Sequence, residues 1–245
     1  VVDARDGTTL RGRRIVVTGA TGGIGTELCT LLARAGARLA LTASSPARLA
    51  ALVSGLARAE PAEAPIHRAA DITDEAEVSA FFKEVGDRWG GADALVNLAG
   101  RADPGRIADT TAEAFHRGLD VNLAGTFLSC KHFVPLVHPG TGGLVVNVAS
   151  MAAKRANPVA PLYCAAKAAV AMFSEAFALQ VRERGIRVTT VNPGGVDTAF
   201  WGDRAVDRTR MLAAVDVAEV VVFVLTRPPY MSVHDISFES AGRRR

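Results

Sequence analysis

Hydrophobic positions along this chain come in two alternating textures. Short runs that are apolar and β-branched almost throughout are RIVVTGA (14–20), RLALT (38–42), IHRAAD (66–71), ALVNLAG (94–100), LVVNVAS (144–150) and RVTTVNP (187–193). Between them lie longer amphipathic stretches, several ending at a glycine such as Gly36, Gly90 or Gly185, the residue that most easily turns the chain out of a helix. Strands apolar on both faces belong to a parallel sheet covered by helices on each side, whereas half-exposed strands alternate. The pattern predicts one doubly wound α/β domain (a Rossmann fold) over residues 1–245. Residues 1–12 read as an N-terminal extension, EPAEAP (60–65) as a surface loop, and SVHDISF (232–238) as a short strand closing one edge.

Composition narrows the classes. With 49% hydrophobic and 22% charged residues the chain can bury a substantial core. Its 28 basic and 25 acidic residues make an ordinary solvated surface, which argues against a nucleic-acid partner. Cys29, Cys130 and Cys164 are odd in number and form no CxxC pair, so a reducing, cytoplasmic setting without disulfides is expected. The five histidines do not group with cysteines or carboxylates, and no metal site is expected. No apolar run approaches the ~18 residues of a membrane span, and VVDARDGTTLRGRR lacks the apolar stretch of a secretion signal, so no membrane association is expected.

Chemistry enters at T18-G-A-T-G-G-I-G25, between the first predicted strand and the first predicted helix. Backbone N–H groups at a helix N-terminus attract a pyrophosphate, and glycines let the backbone approach it closely. Gly19, Gly23 and Gly25 fit TGxxxGxG, while Gly19, Gly22 and Gly25 fit TGxxGxxG, a form found with a separate substrate domain that 245 residues would not hold. The acidic residue that usually follows such a turn by about 20 positions, where it holds a ribose 2′-hydroxyl, is missing, since no Asp or Glu occurs from Leu28 to Ala59. Ser44, Ser45 and Arg48 stand there instead, favouring NADP with NAD as the alternative; the serines could equally cap the helix that opens at Pro46.

The second chemical signal is Y163-C-A-A-K167, which joins one of two tyrosines to one of four lysines. At i and i+4 on a helix both side chains share a face. A nearby ammonium stabilises a phenolate, so Lys167 is expected to lower the pKa of Tyr163 from its usual value near ~10. A compact ammonium can also donate to a ribose, which a wide guanidinium fork does less well.

T18-G-A-T-G-G-I-G25, N97-L-A-G100, Asn122, Ser150, Y163-C-A-A-K167 and N192-P-G-G-V-D-T198 fall in the order and spacing of the short-chain dehydrogenase/reductase family, which the chain resembles from about residue 10 to 238. The resemblance implies a ketone reductase or secondary-alcohol dehydrogenase using NADPH, with Ser150 holding the substrate carbonyl and Tyr163 passing the proton. Lys167 would tune Tyr163 and hold the nicotinamide ribose, and Asn122 would hold a relay water. The cofactor would meet Gly19, Thr21, Gly22, Gly23, Ile24 and Gly25 at the turn, Ser44 and Ser45 beside the adenosine ribose, and Asp71 and Ile72 at the adenine. Asn97, Ala99 and Gly100 would line the ribose side; Pro193, Gly194, Val196 and Thr198 would grip the nicotinamide end.

Asn157, Val159, Gly195, Phe200 and Trp201 would complete a pocket for a small ketone or secondary alcohol. Residues 199–215 would form its lid, in which Phe200, Trp201 and Met211 suggest an apolar or aromatic ligand. Leu98 departs from the family's usual second Asn, and the C-terminal segment around D216-V-A-E-V-V-V-F-V-L-T226 resembles a subgroup acting on small hydroxy acids and secondary-metabolite ketones. The family also implies a homotetramer or homodimer. A dinucleotide sensor without turnover would be expected to lack Tyr163 or Lys167, and an epimerase or dehydratase with retained cofactor fits the glycine ambiguity but not the length.

Overall fold

A computed structural model describes residues 9–59, 63–243 of the chain, so the expected extension lies mostly outside it, as do residues 60–62 of the expected loop. The elements follow as β1 (Arg14–Thr18), α1 (Gly23–Arg34), β2 (Arg38–Ala43), α2 (Pro46–Leu56), β3 (Ile66–Ala69), α3 (Glu75–Trp89) and β4 (Ala94–Asn97). Then come α4 (Ala112–Leu119), α5 (Gly125–Phe133), β5 (Gly143–Val148), α6 (Pro161–Val181) and β6 (Ile186–Pro193). The two-residue strands β7 (Val196–Asp197) and β8 (Leu212–Ala213), α7 (Ala214–Leu225) and β9 (Asp235–Phe238) complete the chain.

Seven strands form one sheet in the order β3-β2-β1-β4-β5-β6-β9, every neighbouring pair parallel. Successive residues of β1 serve opposite cores: Ile15 and Val17 join α1, α2 and α7 through Leu28, Leu49 and Val221, while Val16 joins α3, α5 and α6 through Phe81, Phe133 and Phe177. This two-sided burial is why the strands read as continuous apolar runs.

Local signals set the helix ends. Ser45 accepts from the Arg48 N–H at 3.3 Å with Pro46 at the first helical position, and Asp74 accepts from Ala76 and Glu77 at the start of α3. Gly36, Gly90 and Gly185 all adopt left-handed φ, near +70°, where a Cβ would be strained.

Three expectations need correction. Leu10 is only 5% exposed and packs in the core beside α1, so the last residues of the predicted extension belong to the domain. The lid is shorter than residues 199–215, because β8 and the start of α7 occupy 212 onward and β7 pairs with β8 to pinch the loop's base. Apolar length was also underestimated: Pro161–Arg184 is long and apolar enough by composition to cross a membrane. Its one lysine inside that apolar stretch, Lys167, faces inward and is 4% exposed. The three cysteines are unpaired.

Candidate active site

In the strand order, β1 and β4 are neighbours from which the chain winds off in opposite directions. Loops leaving their C-terminal ends therefore separate and open a crevice, the usual ligand position in such sheets. The turn after β1, the N97-L-A-G100 segment after β4, Ser150 after β5 and Pro193 at the end of β6 all emerge on this edge. They surround a cleft of about 640 Å³.

Crowding at the turn resolves the glycine spacing. A Cβ on Gly19 (φ +66°) would lie 2.5 Å from the Ala99 nitrogen, one on Gly23 2.5 Å from Thr198 Cγ2, and one on Gly25 2.6 Å from the carbonyls of Gly19 and Ala20. Gly22, with an ordinary extended backbone, meets only the Gly19 carbonyl at 3.3 Å. The positions that must be glycine are 19, 23 and 25, the TGxxxGxG reading.

Opposite the turn stand Ser150, Tyr163 and Lys167. Ser150 Oγ accepts from the Ala152 N–H at 3.1 Å, donates to the Pro193 carbonyl at 3.5 Å and pulls the Tyr163 pKa down. Lys167 Nζ donates to the Val148 carbonyl at 3.0 Å and lies 5.8 Å from the centre of the Tyr163 ring. The expected lowering of the tyrosine pKa is not what the structure gives. Burial pushes Tyr163 up to about 12, against the opposing pull of the Ser150 bond and the Arg204 charge, and burial also pushes Lys167 down to about 8. Both charged forms lose hydration here, and that loss is the largest influence on each.

Asn122 sits in a π-helical turn, Asp120–Ala124, inserted between α4 and α5, an irregularity frequent at functional sites. Its amide donates to the carbonyls of Arg101 and Gly118 at 2.8 Å each, leaving Oδ1 buried without a partner among the described residues. Oδ1 and Lys167 Nζ both press against Gly100, at 3.0 and 3.2 Å from where a Cβ would be. An orphaned acceptor close to an ammonium makes a natural place for a water.

Gly19, Gly22, Gly23, Ile24, Gly25, Gly100, Ser150, Asn157, Tyr163, Lys167, Pro193, Gly194, Gly195, Val196, Thr198, Phe200 and Trp201 line the cleft. Other expected contacts do not reach it. Asp71 turns into its own loop, accepting from Thr73 N and Oγ1 at 2.9 and 2.8 Å, and Ile72 packs against Gly125. Asn97 is spent in a buried chain running from Thr18 to Asn97 to Asn147 to Ser174, with spacings of 3.1, 2.9 and 2.9 Å, which stitches β1, β4, β5 and α6 together. Thr21 accepts from Arg48 through its carbonyl and lines the groove beside the cleft rather than the cleft itself; Ser45 is a helix cap; Ser44 and Ala99 lie off the lining; and Val159 is 66% exposed outside the wall formed by Asn157, Pro158 and Ala160.

The sequence reading missed four lining residues with chemistry: Met151, Arg155, Arg204 and Glu239. Arg155 pairs with Glu239 at 3.0 Å across 84 positions of sequence, a separation at which no local spacing signals a contact. Arg204 had a faint signal, an arginine three residues after an aromatic pair within the lid.

Comparison with known proteins agrees with this geometry. The profile of the family described as short chain dehydrogenase matches residues 13–209. An uncharacterised oxidoreductase of Staphylococcus aureus (strain MRSA252) is 30% identical over 230 residues, covering 94% of this chain and 98% of its own. One from Staphylococcus saprophyticus is 30% identical, covering 93% and 97%. Among solved structures, an alcohol dehydrogenase of the archaeon Thermococcus sibiricus, complexed with 5-hydroxy-NADP, superposes with a TM-score of 0.86 at 28% identity, covering 95% and 99%. A short-chain type dehydrogenase/reductase of Mycobacterium marinum gives 0.87 at 28%, covering 95% and 96%. With the parallel sheet, the glycine turn and the Ser-Tyr-Lys wall in one frame, the chain belongs to the short-chain dehydrogenase/reductase family of oxidoreductases.

Proposed function

We propose that the protein is an NADP-dependent oxidoreductase that interconverts a ketone and a secondary alcohol, with Tyr163 as the acid–base group. The observation that carries this reading is the convergence of Ser150, Tyr163 and Lys167 on the cleft wall facing the glycine turn. A bound nicotinamide dinucleotide supplies the hydride for reduction, or accepts it in oxidation. The chain's own residues do the rest. The Ser150 hydroxyl donates to the carbonyl oxygen and fixes its position. Tyr163, whose burial keeps the phenol protonated through neutral pH, gives its proton to that oxygen as the alcohol forms. Lys167 and a water held at Asn122 Oδ1 return a proton to the phenolate.

The residues present fit such a cofactor. Gly19, Gly23 and Gly25 keep side chains out of the turn at the N-terminus of α1, where N–H groups suit a pyrophosphate. Arg48 supports NADP over NAD. Its guanidinium donates to the Thr21 carbonyl at the rim of the turn and lines both the cleft and an adjoining groove with Thr26 and Thr30. A 2′-phosphate there would meet a permanent positive charge with no acidic residue from Leu28 to Ala59 to repel it. The archaeal relative held an NADP derivative, which favours the same choice.

The test is a panel of ketones and alcohols with NADPH, NADH and their oxidised forms, followed by the absorbance of the reduced cofactor. Turnover with higher kcat/KM for NADPH is expected. Tight dinucleotide binding without turnover of any compound would favour a sensor instead.

A further inference from the structure

Arg204 is the unneutralised charge at the substrate end of the cleft. Its guanidinium lies 5.6 Å from the Phe200 ring centre and 5.1 Å from that of Trp201. Nε donates to the Trp201 carbonyl at 2.7 Å and an Nη donates to the Phe200 carbonyl. Stacking and backbone bonds thus fix its plane while using two of its five N–H groups. Among the described residues no carboxylate pairs with it, whereas Arg155, the other arginine at this end, is matched by Glu239.

Placement gives that charge a task. The Phe200 ring packs 5.9 Å from the Tyr163 ring, so the guanidinium stands one aromatic ring away from the proposed acid. Arg204 already acts on Tyr163 electrostatically, opposing the upward push of burial. The neighbouring wall is apolar or aromatic, formed by Met151, Ala152, Phe200 and Trp201. In such surroundings a fixed fork with free donors attracts a planar anion far better than it would in bulk water.

We propose that the substrate is a short oxo acid or the corresponding hydroxy acid, its carbonyl at Ser150 and Tyr163 and its carboxylate on Arg204. The assignment rests on the ketone–alcohol reading of the cleft. It names a substrate class and a specificity residue: Arg204 holds the acid group, and the aromatic lid carries the carbon skeleton. The reaction balances with one hydride to the carbonyl carbon, one proton from Tyr163 to its oxygen, and the carboxylate unchanged.

The first arm of the test compares benzoylformate and acetoacetate with their methyl esters as substrates for NADPH oxidation. The wild type is expected to favour each acid over its ester by at least ~10-fold in kcat/KM, the order of one charge-assisted bidentate contact. In Arg204→Gln that ratio is expected to fall to about one, mostly through KM; Arg204→Lys, which keeps charge but not the fork, should lie between. Esters used as well as acids by the wild type would overturn the proposal, whatever the variants do. A second arm needs no turnover: calorimetric titration of benzoate and benzamide into the NADP-loaded wild type. Tighter binding of benzoate by ~10-fold, lost in Arg204→Gln, supports the carboxylate site even if no carbonyl is reduced, a result that would remove the reaction reading alone. Equal affinity for the two overturns the site.

Discussion

At the scale of single residues, burial decides more than adjacency. Tyr163 and Lys167 were legible in the sequence because i and i+4 share a helix face, but their protonation was not, since desolvation depends on elements far along the chain. Lys167 titrates near 8 inside the protein, below its ordinary 10.5, so its charged form is held at a cost at neutral pH. That cost is on the order of 3 kcal/mol. The sign follows from proton counting: between pH 8 and 10.5 the unfolded chain binds more protons, so the cost fades and this group adds stability as pH rises. Tyr163, raised to about 12, acts oppositely only above pH 10. Lys167→Met is therefore expected to raise Tm at pH 7 by about 3 °C or more, with the gain shrinking from pH 8 to 10 and activity lost; thermal melts across that range decide it. Tyr163→Phe is expected to keep dinucleotide affinity and lose at least ~100-fold in kcat, and a variant retaining a tenth of kcat would remove Tyr163 from its role. Arg48→Ala is expected to raise KM for NADPH by ~10-fold and to leave KM for NADH nearly unchanged, which steady-state kinetics with both cofactors would show.

At the scale of elements, periodicity located the strands and helices because parallel strands buried on both faces carry an unmistakable apolar run. What it could not show is where loops meet. Which glycines the turn requires depends on Ala99, across the crevice, and on Thr198, from the far side of the sheet. Asn97 and Asp71 sit in segments the sequence marks, yet their side chains answer to Asn147 and Thr73 rather than to the cleft, and Val159, whose backbone N–H donates to Asn157 Oδ1, keeps its side chain exposed. The closeness of Gly23 to Thr198 makes a prediction at this scale. Gly23→Ala inserts a methyl 2.5 Å from Thr198 Cγ2, and is expected to cost about 1–3 kcal/mol in urea unfolding as the loop after β6 is pushed off the turn. Gly22→Ala meets only the Gly19 carbonyl, at 3.3 Å, a tight contact that a small shift relieves, and is expected to cost less than Gly23→Ala, under about 1 kcal/mol; equal costs would contradict the assigned spacing.

At the scale of the whole molecule, α6 poses the remaining question. Its inner face, Ala166, Lys167, Val170, Ser174 and Phe177, is buried on the sheet. On the opposite face Ala165, Ala168, Met172, Ala176 and Leu179 are exposed, Met172 at 64% and Leu179 at 74%. Phe127 on α5, 46% exposed, packs edge-on against Phe173 at 6.3 Å and extends the same apolar surface. We predict that this apolar strip, bordered by the exposed Glu175, is a contact surface whose alanines would let a second helix approach closely. A two-fold axis along α6 would set this face against itself, covering Met172 and Leu179 with their own copies, as closed symmetric assemblies require. The outward face also accounts for the helix's apolar composition, while the inward Lys167 donates to the Val148 carbonyl and Ser174 accepts from Asn147 Nδ2, both on β5. We predict a homo-oligomer, dimer or tetramer, built on α6. Light scattering at micromolar concentration should return a multiple of 25.6 kDa, and Met172→Glu, which places two carboxylates at the axis, should shift it to the monomer mass with the fold retained by circular dichroism. A wild-type monomer would refute the interface, and an unchanged oligomer in Met172→Glu would move it to another face.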